Sequence, residues 1–128
     1  MDTGTSFVIT NGVLKKYCGM GGDVTIPEGV REIGPHAFCY REELTGISIP
    51  GSVSAIGENA FCGCAKLKSV FIPESAGLIG KGAFRECAGL EKVVLSSGTA
   101  EIGDEAFLDC ASLKEISLPE GVRRWKRS

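Results

Sequence analysis

The strongest constraint on this chain is an Ala-Phe pair that recurs at a fixed step of 23 residues. The pairs are Ala37-Phe38, Ala60-Phe61, Ala83-Phe84 and Ala106-Phe107. A unit this short cannot bury its own apolar face, so it must stack against neighbouring copies of itself. We therefore expect a repeat solenoid, in which any functional surface is shared among several units.

Other apolar columns keep the same step without an insertion. An Ile-Gly pair precedes each Ala-Phe pair, at Ile33-Gly34, Ile56-Gly57, Ile79-Gly80 and Ile102-Gly103, and a leucine follows it, at Leu44, Leu67, Leu90 and Leu113. After each leucine, apolar residues alternate over a run that usually ends at a proline. Alternation predicts one short strand per coil with its apolar side chains inward. The Ala-Phe segment is expected to form a 3₁₀ or helical turn on the opposite face.

The pattern L-x-x-I-x-I-P, followed by V-x-x-I-G-x-x-A-F-x-x-C-x-x-L, resembles the BspA-like class of bacterial leucine-rich repeats. The resemblance runs from Val24 to about Trp125, as four complete units at 24–46, 47–69, 70–92 and 93–115 and a partial fifth. It implies a right-handed leucine-rich-repeat coil with one parallel β-sheet. It also implies a role in adhesion or protein binding rather than catalysis.

The two ends of the solenoid need different covers, because stacking leaves an apolar cross-section at each end. Near the N-terminus, two apolar runs flank Asn11-Gly12, which is typical of a β-hairpin with a type I′ turn. We expect residues 1–23 to form this cap, 24–115 the four repeats, and 116–128 a partial repeat with a basic tail, all in one domain. Trp125 stands in the isoleucine column, where its ring is expected to cover the last coil. The alternative is that this end associates with another chain.

Charge and hydropathy exclude several function classes. The net charge is −2, from 14 basic and 16 acidic residues, so nothing favours nucleic acid as a partner. No apolar run approaches the roughly 18 to 20 residues of a membrane span, and the start at Met1-Asp2 lacks the basic residues of a signal peptide. As written, the chain is expected to be soluble and cytoplasmic. The family resemblance implies a surface or secreted location as the alternative.

The six cysteines invite a metal or redox interpretation, but the repeat explains most of them. One column holds Cys64, Cys87 and Cys110, where buried thiols pack as small hydrophobes. Cys39 and Cys62 form a second column, and the spacing of adjacent coils lies within the range for a disulfide, which is expected only under oxidising conditions. A zinc site usually needs four convergent ligands, and His36 is the only histidine. We expect no metal and no cofactor.

The sequence contains no catalytic motif. There is no H-E-x-x-H, no G-x-x-x-x-G-K-[ST] and no Ser-His-Asp set, and the carboxylates are scattered over columns that are expected to face solvent. We therefore expect no enzyme activity.

The outward strand positions are the residues that the repeat leaves free to vary. Among them, Phe71 and Val94 are adjacent in one column, and exposed apolar neighbours are candidate anchors for a partner. We expect a non-catalytic module that binds a protein, a peptide or a glycan through this face. The candidate partner-binding residues are Ser48, Ser69, Phe71, Lys92, Val94 and Glu115. The alternative function is a structural or assembly element that self-associates through its solenoid ends.

Overall fold

The computed structural model describes residues 6–117, which form a coil of short β-strands joined by tight turns. The strands are β1 (Phe7–Thr10), β2 (Val13–Tyr17), β3 (Gly22–Thr25), β4 (Glu32–Ile33), β5 (Leu44–Ser48), β6 (Ala55–Ile56), β7 (Ser69–Ile72), β8 (Leu78–Ile79), β9 (Lys92–Leu95), β10 (Glu101–Ile102) and β11 (Glu115–Ser117). The predicted β-solenoid is confirmed.

One face of the coil carries the longer strands β3, β5, β7, β9 and β11, one per repeat. Their register follows the 23-residue step, with Val70 opposite Val93 in β7 and β9. The predicted alternation is clear in β7, where Val70 and Ile72 are buried whereas Ser69 and Phe71 are exposed. We call this surface the strand face.

The strand face is divided into two sheets. β3 pairs with β5, and β9 pairs with β7 on one side and β11 on the other. Within residues 6–117, no ladder joins β5 to β7. The division adjoins a register shift in β3 and β5, where Leu44 is opposite Gly22 and Gly46 is opposite Asp23, so that Thr45 has no partner in the ladder. The Thr45 hydroxyl instead donates to the Asp23 carboxylate at 3.1 Å.

Within residues 6–117, the second face holds a six-stranded sheet in the order β1-β2-β4-β6-β8-β10. The expectation of one parallel sheet is therefore incomplete, because the segment that returns the chain also forms two-residue strands. Glycine allows the coils to approach there. The N–H of Gly57 donates to the Ile33 carbonyl at 2.7 Å, and a Cβ on Gly57 would lie only 2.8 Å from that oxygen.

The N-terminal hairpin continues this second sheet. β1 and β2 are antiparallel, and Asn11 and Gly12 between them have φ values of 52° and 80°, as a type I′ turn requires. β2 also pairs in parallel with β4, so that Leu14 lies opposite Ile33. β2 is thus the first of the parallel strands in this sheet, and β1 forms the antiparallel edge strand beyond it. The expected division into 1–23, 24–115 and 116–128 stays a prediction.

The segments around the Ala-Phe pairs, where a 3₁₀ or helical turn is expected, are hydrogen-bonded turns that do not continue into a helix. Their N–H groups alternate between two targets: Ala60 donates to Gly57 in its own coil at 3.2 Å, whereas Phe61 donates to Ala83 in the next coil at 2.7 Å. Two columns have positive φ in every repeat, which interrupts a right-handed helix. These residues are His36, Asn59, Gly82 and Glu105, and Tyr40, Gly63, Glu86 and Asp109.

The phenylalanine column forms a continuous stack of rings inside the coil. The centroid distances are 4.8 Å between Phe38 and Phe61, 5.0 Å between Phe61 and Phe84, and 5.5 Å between Phe84 and Phe107, and the planes of these pairs are within 10° of parallel. Tyr17 extends the stack on the N-terminal side at 5.1 Å from Phe38. The aromatic core therefore starts one coil before the first Ala-Phe pair.

Candidate binding face and cysteine columns

The most exposed aromatic side chain of the strand face is Phe71. It lies between the buried residues Val70 and Ile72 in β7, and 57% of its surface is accessible. Val94 is its register partner on β9 and is half-buried. The two predicted anchors therefore form one apolar strip across two neighbouring coils.

The polar candidates form the column beside this strip. Ser69 is the register partner of Lys92, which is in turn the partner of Glu115, and all three are exposed. Ser48 is exposed at the end of β5, on the other side of the division in the strand face. Five of the six candidates thus share one sheet, and Ser48 lies across the gap from it. Their role in binding stays a prediction.

A depression of about 320 Å³ crosses β3, β5 and β7 on the strand face. It is lined by Asp23, Val24, Thr25, Gly46, Ile47, Ser48, Ser69 and Phe71. The repeat predicts an unbroken sheet here, so sequence reasoning missed the depression. The one hint in the sequence is Gly46, which stands in a column that otherwise holds Ser69, Lys92 and Glu115. Glycine is needed there because a Cβ at Gly46 would lie 2.6 Å from a carboxylate oxygen of Asp23.

The thiols of one cysteine column donate hydrogen bonds between coils. Cys64 donates to the Phe38 carbonyl at 3.2 Å, and Cys87 donates to the Phe61 carbonyl at 3.1 Å. Burial raises the pKa of Cys64 to about 12. Contact with the next thiol of the column and burial also raise the pKa of Cys87. These thiols therefore stay protonated at neutral pH, as donors within the core.

Cys39 and Cys62 occupy the other cysteine column, and both are free thiols. Cys39 is half-buried and Cys62 is buried, and the two residues are neighbours in consecutive coils, where the N–H of Tyr40 donates to the Cys62 carbonyl at 2.6 Å. Burial, with a smaller effect of the Cys62 thiol, raises the pKa of Cys39. Their disulfide stays a prediction.

Tyr40 lies beside this thiol pair. Its ring occupies the space that a side chain on Gly63 would need, and its hydroxyl donates to Glu86 Oε1 at 3.0 Å, two coils further along. The hydrogen bond to the Glu86 carboxylate is the main reason that the pKa of Tyr40 is raised to about 12. The sequence could not predict this contact, because it depends on the absent side chain at position 63.

Among residues 6–117, the remaining candidates belong to no group of side chains that could hold a metal ion. His36 is exposed, with its Nε2 atom 3.4 Å from Nδ2 of Asn59. Within residues 6–117, no group of three or more His, Cys, Asp or Glu side chains is arranged to hold a metal ion. The same part of the chain has no helix long and apolar enough to cross a membrane. Trp125, the candidate end cap, lies outside the described residues.

The profile of the BspA type leucine rich repeat region matches residues 9–128 in six copies. The chain belongs to the BspA-type leucine-rich repeat family. The match begins before Val24, where the sequence pattern first indicated a repeat, in agreement with β2 as the first rung of the second sheet. No curated protein matches the chain.

Solved structures of other bacterial leucine-rich repeat proteins share this fold. A leucine-rich cell surface protein from Faecalibacterium prausnitzii is 27% identical, with a TM-score of 0.66 over 81% of this BspA-type chain and 34% of its own. The Treponema pallidum (T. pallidum) leucine-rich repeat protein is 25% identical, with a TM-score of 0.57 over 89% of this chain and 79% of its own. The pneumococcal vaccine antigen PcpA, at 23% identity, has a TM-score of 0.67 over 87% of this chain and 32% of its own.

The BspA-type chain spans about a third of the length of the first of these relatives. That relative is a cell surface protein, so the comparison gives the expected cytoplasmic location no support. The predicted family and its leucine-rich-repeat fold are confirmed.

Proposed function

We propose that this BspA-type chain is a non-catalytic protein-binding module whose strand face, centred on Phe71 and Val94, binds an extended polypeptide. The observation that carries the proposal is the exposure of Phe71, at 57%, in the middle of a regular strand. The general part of the proposal, that the chain takes part in protein interactions, rests on its membership of this repeat family. A surface or secreted location is part of the proposal, because the F. prausnitzii relative is a cell surface protein.

The backbone beneath Phe71 is already ordered before a partner arrives. β7 is paired along its length with β9, and the residues on either side of Phe71 are packed in the core. On binding, therefore, little of this protein has to become ordered apart from the exposed ring of Phe71. Aromatic anchors held in this way commonly contribute at least about 2 kcal/mol to binding, and rim residues such as Ser69 and Lys92 contribute less.

An extended polypeptide fits this surface better than a glycan. Within residues 6–117, no ladder joins β5 to β7, so each of these strands forms an edge of its sheet at the division. Extended peptides are recognised by main-chain hydrogen bonds together with pockets for alternate side chains. The depression beside Phe71 supplies such a pocket next to the apolar strip.

Selection from a displayed library of random peptides tests this proposal. Selected peptides should bind the native protein, and Phe71→Ser should weaken their binding about 30-fold, which corresponds to about 2 kcal/mol. Leu78→Ser is the matched control, because Leu78 is an apolar residue with 43% exposure on the second sheet. Equal losses in the two variants, or unchanged binding in Phe71→Ser, would contradict the assigned face.

The assembly alternative has one observation in its favour. β1 is the outermost strand of the six-stranded sheet within residues 6–117, and Val8 and Ile9 are 46% and 40% exposed. Exposed apolar edge strands favour pairing with another chain. Self-association that Val8→Lys or Trp125→Ala abolishes, with peptide binding intact, would support this alternative. A mass by light scattering that stays monomeric at every concentration would eliminate it.

A further inference from the structure

The coils that carry Cys39 and Cys62 are held together on both sides of the cysteine column. The N–H of Phe38 donates to the Ala60 carbonyl at 2.7 Å, and the N–H of Tyr40 donates to the Cys62 carbonyl at 2.6 Å. Main-chain bonds of this kind keep neighbouring chains about 4.7–4.9 Å apart. This spacing falls inside the range of about 4.4–6.8 Å between the Cα atoms of bridged cysteines.

Cys64 and Cys87 are less suited to a bridge. Cys64 and Cys87 are fully buried, and each thiol donates to a carbonyl of the preceding coil. Cys18 is exposed and precedes the coil that carries Cys39. Cys39 combines partial exposure with a thiol neighbour in the next coil, so an oxidant can reach it and the second thiol is already in place.

We propose that Cys39 and Cys62 are a redox site, which forms a reversible disulfide between two consecutive coils by exchange with a small disulfide such as oxidised glutathione. The Cys39 thiolate attacks one glutathione sulfur and releases the other half as a thiolate, which leaves a mixed disulfide on Cys39. The Cys62 thiolate then attacks the Cys39 sulfur and releases the second glutathione. The protein loses two electrons and two protons, and the glutathione disulfide is reduced to two thiols.

Tyr40 limits access to this site. Its ring fills the space above Gly63, beside the thiol pair, and its hydroxyl is held by Glu86. Truncation in Tyr40→Ala should therefore accelerate the reaction several-fold, because thiol reactivity depends on access as well as on the thiolate fraction. The final number of bridges should be unchanged.

The test equilibrates the purified chain with mixtures of reduced and oxidised glutathione at mildly alkaline pH. Thiols are then counted in denaturant after acid quenching. The reduced chain has six thiols, and the bridge removes two of them, which leaves four thiols, or three where the exposed Cys18 also carries glutathione. Trypsin should yield peptide 32–41 linked to peptide 42–66 in the oxidised protein. The second peptide also contains Cys64, so the linkage is mapped in Cys64→Ser, where it should persist.

Stability provides an independent measurement. A bridge that closes a loop of this length should raise the thermal midpoint by about 10 °C, and reduction should reverse the rise. Cys39→Ser should abolish both the linked peptide and the shift, whereas Cys18→Ser should retain both. Cys39→Ser is the main control because Cys39 is only half-buried, so its replacement leaves the core intact.

Several outcomes would overturn the proposal. They are a link from Cys39 to Cys64 or Cys18, a bridge between two chains, six free thiols throughout, or a thermal midpoint that falls on oxidation. None of these results bears on peptide binding at Phe71, which is on the strand face. Failure of the redox site is thus separable from failure of the proposed binding function.

Discussion

Replacement of Phe61 by alanine tests the ring stack at its centre. Phe61 has no accessible surface, and its ring is stacked on Phe38 at 4.8 Å and on Phe84 at 5.0 Å. Removal of a buried phenylalanine commonly costs about 3–5 kcal/mol. Two ring contacts are lost together, and each such pair is worth about 0.5–1.5 kcal/mol beyond its buried area. We therefore expect a loss in the upper half of that range, about 4–5 kcal/mol.

Phe71→Ala is the matched control for this prediction. It deletes the same atoms from the same type of residue, but 57% of Phe71 is exposed. The loss should be about 1 kcal/mol or less, since little core packing is removed. Urea unfolding followed by far-ultraviolet circular dichroism measures both free energies, provided that the dependence on urea concentration is unchanged. Similar losses in the two variants would refute the assignment of the Phe column to the interior.

Two further predictions concern Tyr40 and its surroundings. Gly63→Ala should lower the free energy of unfolding by about 2 kcal/mol, because Gly63 has a φ of 78° and a Cβ would collide with the Tyr40 ring. Gly51→Ala is the control, because a Cβ there meets nothing within 4 Å, and it should change the free energy of unfolding by about 0.5 kcal/mol at most. Equal effects of the two substitutions would contradict the contact between Gly63 and Tyr40. Glu86→Gln should move the pKa of Tyr40 from about 12 back towards 10.0 in a spectrophotometric titration, with Tyr40→Phe to assign the transition. Since the folded-state pKa is raised, the stabilisation from this hydrogen bond is complete below pH 10 and is lost as the pH rises through 12; an unshifted transition in Glu86→Gln would refute it.

The sequence predicted the features that every repeat shares. The column of Phe61 is buried at every repeat within residues 6–117, because each phenylalanine packs against rings of the same column in neighbouring coils. The hairpin turn was also predictable, since Asn11-Gly12 is a local signal for a type I′ turn.

Features that depend on unlike residues in neighbouring coils were not predictable. The contact of Tyr40 with Glu86 requires glycine in the coil between them, and the division of the strand face adjoins the contact of Thr45 with Asp23. The periodic pattern describes an average coil and carries no information about such differences. The second sheet was missed for another reason, since strands of two residues such as Ala55–Ile56 are too short to show alternation.

The alternating hydrogen bonds of the turns have a consequence for curvature. A helix on the outer face of a solenoid needs about 10 Å of width, whereas a strand needs about 4.8 Å, so a coil that combines them must bend. Here the outer face consists of turns in which every second N–H group, such as those of Phe38 and Tyr40, reaches the next coil directly, and the rings inside repeat every 4.8–5.5 Å. Both sides therefore advance by nearly the same distance per repeat. Added repeats would lengthen such a coil by about 5 Å each along a nearly straight axis, which presents partners with a flat face rather than the hollow of a horseshoe.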